Sequence, residues 1–406
     1  MSEKKVACRM SSREYLAAKP VPCDARVAVT RLMLTNFRSY GMLDLKCEGS
    51  HVVLVGPNGA GKTNLLEALS MFAPGRGLRG ARLSEMSRTP VHGAADAPER
   101  PWAISATISS AAGSFQIGVG YLPGQSDGDA SKRTVRMDGV PVSGVAQLAE
   151  HVRLIWLSPA MDRIFAESVS ERRRFLDRLI SSFDPLHARR WGQYETAMRE
   201  RMAALRAGGS GSWLTALEQT MAEAGVAVAA SRLAGVQQLS HAIDAQNGST
   251  FPHALIGLAG FIENGLQARA AVDLEDEFQA RLCRNRDRDA EAGRTSDGPH
   301  ATDFLVSHRE KGRPAGSCST GEQKALLIRL VLACASLPAP GAPDRPILLL
   351  DEVAAHLDET RRRALFDEIE SLDLQSWLTG TDLQLFSGLE GRAQFKRVAD
   401  GQVRPM

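Results

Sequence analysis

The sequence predicts an α/β protein in which a helical insertion divides a domain built on a mixed sheet. Apolar runs typical of buried strands occur at residues 51–55 and 346–350, towards opposite ends of the chain. Between them lie long segments with the spacing of amphipathic helices, punctuated by residues that favour turns. Strands and helices alternate again after residue 300, so we expect both ends of the chain to build one domain.

The first chemical motif follows the strand at 51–55 and fits the pattern G-x-x-x-x-G-K-[ST]. Its residues are Gly56, Pro57, Asn58, Gly59, Ala60, Gly61, Lys62 and Thr63. Glycines let backbone N–H groups converge on an anion, and a helix beginning at Lys62 adds the positive end of its dipole. We expect Lys62 to reach the β- and γ-phosphates of ATP and Thr63 to bind Mg²⁺. A chance glycine-rich turn is the alternative, but the position between strand and helix favours a phosphate loop.

Length and charge limit the remaining possibilities. The chain has 406 residues, of which 43% are hydrophobic, so it can bury a large core in two or three units. Its formal net charge is only +2. Any contact with nucleic acid therefore has to come from local basic patches.

The cysteines form no C-x-x-C pair and have no regular spacing, which argues against a zinc site or a disulfide framework. They are Cys8, Cys23, Cys47, Cys283, Cys318 and Cys334. No apolar segment follows Lys4 and Lys5, and no run of about 18 apolar residues occurs. We therefore expect a cytoplasmic protein without a membrane span.

Changes of pattern divide the chain into five segments. We expect a flexible leader at 1–26 and the N-terminal half of the main domain, with an antiparallel sheet, at 27–159. A helical arm is expected at 160–282, with a middle helix of about 23 residues spanning about 35 Å. The charged residues of 283–299 alternate in sign and predict a mobile, solvated loop. The rest of the domain occupies 300–406.

The second chemical motif is the strand "PILLLDE", which delivers Asp351 and Glu352 at its C-terminal end. A phosphate-loop enzyme needs acidic groups at this position. We expect Asp351 to hold Mg²⁺ and Glu352 to orient and partly deprotonate the attacking water. The alternative is an ordinary strand end followed by the acidic start of a helix.

The third motif is "SCSTGEQKALLIRLVLA". Ser319 and Glu322 have the spacing of a capping box before an apolar helix, and capping alone would explain them. A helix N-terminus with a small hydroxyl residue and Gly321 is also a good anion site. Both interpretations remain open on the residues alone.

Together these motifs resemble those of ABC-type ATPase heads. "GPNGAGKT", "STGEQKAL" and "ILLLDEVAAHLD" stand in the order Walker A, signature, Walker B and D-loop. The resemblance implies a homodimer in which Ser319 and Gly321 of one subunit contact the γ-phosphate held by the other. It also implies that Asp358 lies in the D-loop.

Further pieces are similar to the RecF branch of the ABC/SMC-type ATPase family. They are "LMLTNFRSY", "LIWLSPAMDRIFAESVSERRRFLDRLI", "GPH" at 298–300 and "TGTD" near the end. The resemblance places Arg38 near the nucleotide phosphates. It implies an ATP-driven dimer clamp on single-stranded or gapped double-stranded DNA, with slow, DNA-stimulated hydrolysis that resets it. It also implies recombinase loading at gaps, SOS induction, fork maintenance, and RecO and RecR as partners.

Other ATPase classes fit less well. An SMC-like structural ATPase needs a long coiled coil, and only about 256 residues separate Thr63 from Ser319. An ABC transporter subunit favours a histidine after the next strand, where this chain has Thr379 and Thr381. A P-loop kinase would work without a signature helix. Three positions depart from the family pattern: Cys318, Glu322 and the D-loop sequence at 355–358.

Several arginines are candidates for contact with DNA phosphates, and surface solubility is the alternative for each. Arg172, Arg173 and Arg174 could equally form salt bridges between the lobe and the arm. The other candidates are Arg76, Arg79, Arg82, Arg189 and Arg190.

Overall fold

The computed structural model describes residues 26–48, 50–88, 100–123, 133–209, 211–246, 248–341 and 345–406. All of the predicted leader except Arg26 lies outside the described residues. The strands, in chain order, are β1 (Ala28–Phe37), β2 (Tyr40–Lys46), β3 (His51–Val55), β4 (Trp102–Ser110), β5 (Gly113–Tyr121), β6 (Arg133–Met137), β7 (Val140–Pro141), β8 (Leu154–Leu157), β9 (Ala254–Ala259), β10 (Asp303–His308), β11 (Arg313–Pro314), β12 (Ile347–Leu350), β13 (Ser376–Gly380), β14 (Ala393–Ala399) and β15 (Gln402–Pro405). The helices are α1 (Lys62–Ser70), α2 (Val145–Leu148), α3 (Val169–Ser181), α4 (Pro185–Arg206), α5 (Gly211–Ala245), α6 (Phe261–Leu266), α7 (Ala271–Arg284), α8 (Arg286–Ala292), α9 (Thr320–Ser336) and α10 (Glu359–Ser371).

A mixed sheet with the order β15-β14-β3-β13-β12-β8 forms the centre of the domain. Neighbouring strands within this sheet pair in parallel, except that β14 and β15 pair antiparallel and form the predicted C-terminal hairpin. Every residue of β3, β12 and β13 is buried, as expected for parallel strands covered on both faces. Parallel pairing brings the carboxyl ends of these three strands to one edge of the sheet.

An antiparallel sheet with the order β2-β1-β4-β5-β6-β7 covers the first half of the domain. The alternation of buried and partly exposed residues along β4 matches a sheet with one face on the core. The buried Gln375, just before β13, accepts the Val29 N–H at 2.8 Å and donates to the Val29 carbonyl at 3.1 Å. These two hydrogen bonds fasten β1 of this sheet to the central sheet.

The arm is built around α5, which has 35 residues and is therefore about 52 Å long. Its first half packs with Tyr194 of α4 and Phe278 of α7 in a separate arm core. Its second half contributes Leu239 and Ile243 to the main core. No helix in the described ranges is long and apolar enough to cross a membrane.

The structure differs from the sequence-based expectation within the arm at 160–282. Besides helices, this segment contains β9, which pairs antiparallel with β10. Together with β11 these strands form a three-stranded sheet. The apolar run of β9 is too short for its periodicity to distinguish a strand from a helix.

The expectation that 283–299 forms a loop is wrong. The segment contains α8, and Asp289 within it is fully buried. Arg201 donates to Asp289 at 2.8 Å and to Glu218 at 3.0 Å, while Arg286 is paired with Glu218. Asp289 and Arg286 are therefore paired within the arm, which the sequence spacing alone did not reveal, while most other charged residues of the segment are exposed.

Candidate nucleotide-binding site

The loop at 56–63 connects β3 to α1 with glycines at positions where a side chain would not fit. A Cβ atom on Gly56 would lie 2.1 Å from the carbonyl oxygen of Val398 on β14. Gly59 and Gly61 have φ angles of 78° and 106°, in the region that favours glycine. Pro57, Asn58 and Gly59 are exposed at the loop tip. The loop therefore presents its backbone to solvent, as anion binding requires.

Gly61 caps α1 against a turn from the antiparallel sheet. A Cβ atom here would lie 2.7 Å from Ser39 Oγ and 2.8 Å from Tyr40 Oη. The Tyr40 hydroxyl donates to the Gly61 carbonyl at 3.1 Å. Burial raises the pKa of Tyr40, so this hydroxyl stays protonated and remains a donor. The turn after β1 thereby supports the phosphate loop from behind.

The Lys62 side chain folds back over the loop. Its Nζ donates to the carbonyl oxygens of Gly56 at 2.8 Å and Pro57 at 2.9 Å. Burial lowers the pKa of Lys62, while the Glu352 and Asp351 carboxylates oppose that shift. An ammonium held on two carbonyls beside two acids can exchange those neutral acceptors for phosphate oxygens.

Asp351 follows β12 and is hydrogen-bonded to two threonine hydroxyls. Its Oδ1 accepts from Thr63 Oγ1 at 2.9 Å and from Thr379 Oγ1 at 2.7 Å. Burial is the main cause that raises the pKa of Asp351, and the two hydroxyls oppose it. A carboxylate and a hydroxyl oxygen in contact are the hard ligands that Mg²⁺ prefers. The pair predicted for the metal is thus together at one edge of the sheet.

Among the described residues, no group of three or more His, Cys, Asp and Glu side chains could hold a metal ion. Mg²⁺ in nucleotide sites commonly uses one or two protein ligands together with phosphates and water.

Glu352 has a left-handed backbone with φ 52° and is half-buried. Its N–H donates to Thr379 Oγ1 at 2.9 Å. The same Thr379 hydroxyl donates to Asp351, so one threonine positions both acids. Sequence reasoning noted Thr379 only in place of a histidine. Its position at the end of a strand next to β12 could have indicated this role only if the strand order had been known.

Arg38 forms a salt bridge with Glu67, a residue that the sequence analysis did not identify. Its Nε and one terminal nitrogen donate to Glu67 at 2.8 and 2.6 Å, and the other terminal nitrogen donates to the Glu85 carbonyl at 2.7 Å. Glu67 lies on α1, is fully buried and also accepts from Arg79 at 3.1 Å. Arg38 is thus tied to the helix that follows the phosphate loop, and its expected position near the nucleotide phosphates stays a prediction.

The predicted signature turn stands at the N-terminus of α9. Ser319 and Glu322 form a capping box, in which Glu322 accepts the Ser319 N–H at 3.0 Å. Glu322 also pairs with Lys311, and this contact is the largest cause lowering the pKa of Glu322 to about 2. Ser319 is exposed, and a Cβ atom on Gly321 would meet no atom within 4 Å. The turn is therefore open to a partner.

Asp358, the expected D-loop residue, caps α10 by accepting the Arg361 N–H at 2.8 Å and is exposed. In the part of the chain that the structure describes, no hydrogen bond or ion pair joins Ser319, Gly321 or Asp358 to the loop at 56–63. The structure thus assembles the residues from β3, α1, β12 and β13 into one site and leaves the signature and D-loop residues outside it.

The sequence model of the RecF/RecN/SMC N terminal domain family matches residues 28–390. The DNA replication and repair protein RecF of Rhizobium etli is 48% identical over 380 residues, which are 93% of this chain and 99% of that protein. This chain belongs to the RecF family. The predicted membership of the RecF branch is thereby confirmed.

Two solved structures share the fold of this RecF family member. The recombination mediator protein RecF-ATP has a TM-score of 0.78 at 23% identity, covering 94% of this chain and 98% of that one. The Smc head domain with an extended coiled coil from Pyrococcus furiosus has a TM-score of 0.51 at 13% identity, covering 94% and 96%. The predicted ABC-type ATPase head with a mixed sheet is confirmed.

The arginines proposed for DNA contact fall into two groups in this RecF chain. One group is engaged within the protein: Arg172 with Asp303, Arg173 with the Thr302 carbonyl, Arg174 with Glu171, Arg190 with Asp184, and Arg79 with Glu67 and Asn64. The bridge from Arg172 on α3 to Asp303 on β10 matches the alternative of a structural salt bridge. Arg76, Arg82 and Arg189 are exposed, and their side chains have no ion pair within the described ranges.

Proposed function

We propose that this protein is an ATP-dependent DNA-binding protein of recombinational repair and replication-fork maintenance, acting in the cytoplasm. One observation carries the proposal: Thr63 of the phosphate loop and Asp351 of the neighbouring acidic strand are in direct contact at 2.9 Å. This contact brings a phosphate-binding element and a carboxylate to one point, as ATP hydrolysis requires.

Each site residue has a role that its surroundings support. The amides of 56–63 and Lys62 bind the phosphates, and Thr63 with Asp351 would hold Mg²⁺, which neutralises phosphate charge when bound. Glu352 orients the attacking water and accepts its proton, since Thr379 fixes its backbone beside Asp351. Arg38 secures α1 through Glu67 and so keeps the loop in place.

ATP drives formation of a homodimer in this proposal. The open signature turn of one protomer, with Ser319 and Gly321, covers the nucleotide on its partner, and Asp358 lies at the same interface. Support comes from the exposure of Ser319 and Asp358, from the open space around Gly321, and from the likeness to a structure named RecF-ATP. Closure of the dimer clamps single-stranded or gapped double-stranded DNA through its phosphates, with Arg76 and Arg82 as candidates.

Hydrolysis in this clamp is slow and DNA-stimulated, and it resets the dimer. The clamp supports recombinase loading at gaps and induction of the SOS response. RecO and RecR are the proposed protein partners, because the solved relative is named for the RecFOR pathway.

Complementation between two defective subunits tests the proposal. Lys62→Ala disables the phosphate loop, and Ser319→Arg blocks the signature turn. Each variant alone is expected to lose most ATP turnover and all ATP-dependent dimerisation. A mixture contains heterodimers in which the intact loop of one subunit faces the intact signature of the other. We therefore expect the mixture to recover a substantial part of DNA-stimulated turnover, measured as phosphate release alongside sedimentation.

Two results would overturn the proposal. If Ser319→Arg hydrolyses ATP like the wild type, the signature has no role and the chain works as a monomeric ATPase. If turnover recovers on mixing but DNA changes neither turnover nor sedimentation, the composite site stands and the DNA clamp does not. Circular dichroism and nucleotide binding by Ser319→Arg control for folding.

A further inference from the structure

A cavity on the arm, which we name the arm cavity, plays no part in the function proposed above. It has a volume of about 720 Å³ and lies between α4 and the segment 293–301. Its rim carries Arg199, Arg206 and Arg294, and its lining includes no Asp or Glu. Its floor includes Met198 and the buried Met202. The volume is within the range of sites that enclose side chains or small ligands.

The three rim arginines lack carboxylate partners within the described ranges, and all are exposed. Among the hydrogen bonds of the described residues, the Arg206 side chain donates only to the Gly293 carbonyl, at 3.2 Å. Elsewhere on the arm, Arg269 and Arg281 pair with Glu277 and Arg288 pairs with Asp297, whereas the exposed Arg189 and Arg284 have no ion pair among the described residues. What distinguishes the cavity is that three arginines converge on one lining that contains no acidic residue to compensate their charge.

The cavity wall is fixed and adds no charge of its own. His300 lines it, with Nε2 at 2.9 Å from the Thr295 carbonyl and Nδ1 at 2.6 Å from the Tyr194 hydroxyl. Since a carbonyl can only accept, Nε2 carries a proton, and Nδ1 accepts from the tyrosine. Burial is the main cause lowering the pKa of His300, which favours this neutral form. The wall is thus preorganised, and the positive charge comes from the arginines alone.

We propose that the arm cavity binds an acidic peptide segment of a partner protein, with an apolar side chain of the peptide seated on Met198 and Met202. Flexible methionines accept varied apolar groups, and arginines pair well with carboxylates. A nucleic-acid backbone would satisfy the arginines but offers no apolar group for the floor. An acidic peptide with one or more apolar residues complements both parts of the cavity.

Fluorescence anisotropy with the full chain tests this site. The probe is a labelled nine-residue peptide of alternating Glu and Leu, compared with Glu/Ser and Lys/Leu peptides of the same length. The double variant Arg199→Glu, Arg294→Glu is expected to weaken Glu/Leu binding about tenfold or more. The matched control is Arg284→Glu, an exposed arginine of the arm on α7 that is outside the cavity lining. It should change the affinity less than about twofold.

The apolar floor is tested separately by Met198→Gln, which should weaken the Glu/Leu peptide and leave the weak Glu/Ser peptide unaffected. Binding of Glu/Leu that survives the double variant unchanged overturns the proposal. The proposal is also overturned if a labelled oligonucleotide binds to the wild-type protein, binds more weakly to the double variant and is displaced by none of the peptides. That result would make the cavity a nucleic-acid site. ATP turnover and ATP-dependent dimerisation should be normal in all these variants, so failure here is distinguishable from failure of the ATPase proposal.

Discussion

Asp351 shows how a residue suited to catalysis can oppose stability. Its side chain is buried at the edge of the sheet, and both hydroxyls that it accepts from are neutral. Within the described ranges no cation forms a salt bridge with it, although Lys62 and Arg79 are near enough to interact with its charge. A buried carboxylate that is hydrogen-bonded only to neutral groups costs free energy until a metal ion is bound.

We predict that Asp351→Asn raises the melting temperature of the nucleotide-free protein. The amide oxygen keeps the hydrogen bonds from Thr63 and Thr379, while the buried charge is removed. The same change should lower ATP turnover by about a hundredfold or more, because the carboxylate ligand is lost. Calorimetry and phosphate release measure the two effects. Asp276→Asn, at an exposed position on α7, is the control.

The stability difference between Asp351→Asn and the wild type should depend on pH, and the direction of that dependence can be derived. Because burial raises the folded-state pKa of Asp351, the folded protein binds a proton here more readily than the unfolded chain does. The gain from Asp351→Asn should therefore vanish below the ordinary aspartate pKa and grow as pH rises through the folded pKa. A gain that is independent of pH would point to packing instead of charge.

At the scale of elements, Glu67 joins three pieces of chain. It lies on α1 and binds Arg38 from the turn after β1 and Arg79 from the loop after α1. The Arg38 contact uses two parallel N–H donors, the arrangement in which arginine holds a carboxylate most firmly. A basic loop that includes Arg76 and Arg82 is thereby anchored to the helix of the phosphate loop.

We expect Glu67→Gln to destabilise the protein by about 1–3 kcal/mol, because two arginines lose their charged acceptor at a buried position. Nucleotide affinity should fall with it, since α1 loses its ties to both neighbouring turns. Chemical denaturation and nucleotide titration measure these effects. Glu195→Gln, at an exposed site on α4, should leave both unchanged. Equal stability of the two variants would show that the cluster has no structural role.

The sequence was most informative where a function is carried by consecutive residues. The loop at 56–63 and the acidic pair at 351–352 could be predicted because their spacing is local. Thr379 and Glu67 could not, because their partners depend on strand order and on turns distant in the chain. The prediction for the charged stretch at 283–299 failed for the same reason. Its residues Asp289 and Arg286 pair with Arg201 and Glu218, which lie on other helices.

At the scale of the whole molecule, α5 belongs to both hydrophobic cores. Met221 and Ala229 lie in the arm core, and Leu239 and Ile243 lie in the main core. Buried ion pairs reinforce the junction, since Arg232 of α5 binds Asp177 of α3 at 2.8 Å. The two cores are therefore connected by regular, packed helix instead of a linker.

We predict that the arm and the main domain unfold in one transition. Phe278→Ala removes a fully buried ring from the arm core and should destabilise the entire protein by about 3–5 kcal/mol. Calorimetry should show a single shifted peak, and hydrogen exchange at β3 should accelerate in parallel. Val272→Ala, at an exposed position on the same helix, is the control. A second peak at the wild-type temperature would show that the cores are independent.

The length of α5 also has a mechanical consequence. A continuous helix held at one end by the main core is a stiff rod, and its far end near Gly211 is about 52 Å away. A rotation of about 5° at the base displaces that end by about 4.5 Å, a distance similar to one helical turn. Sub-ångström adjustments around a bound phosphate can in this way become movements of several ångströms at the tip, amplified by leverage alone.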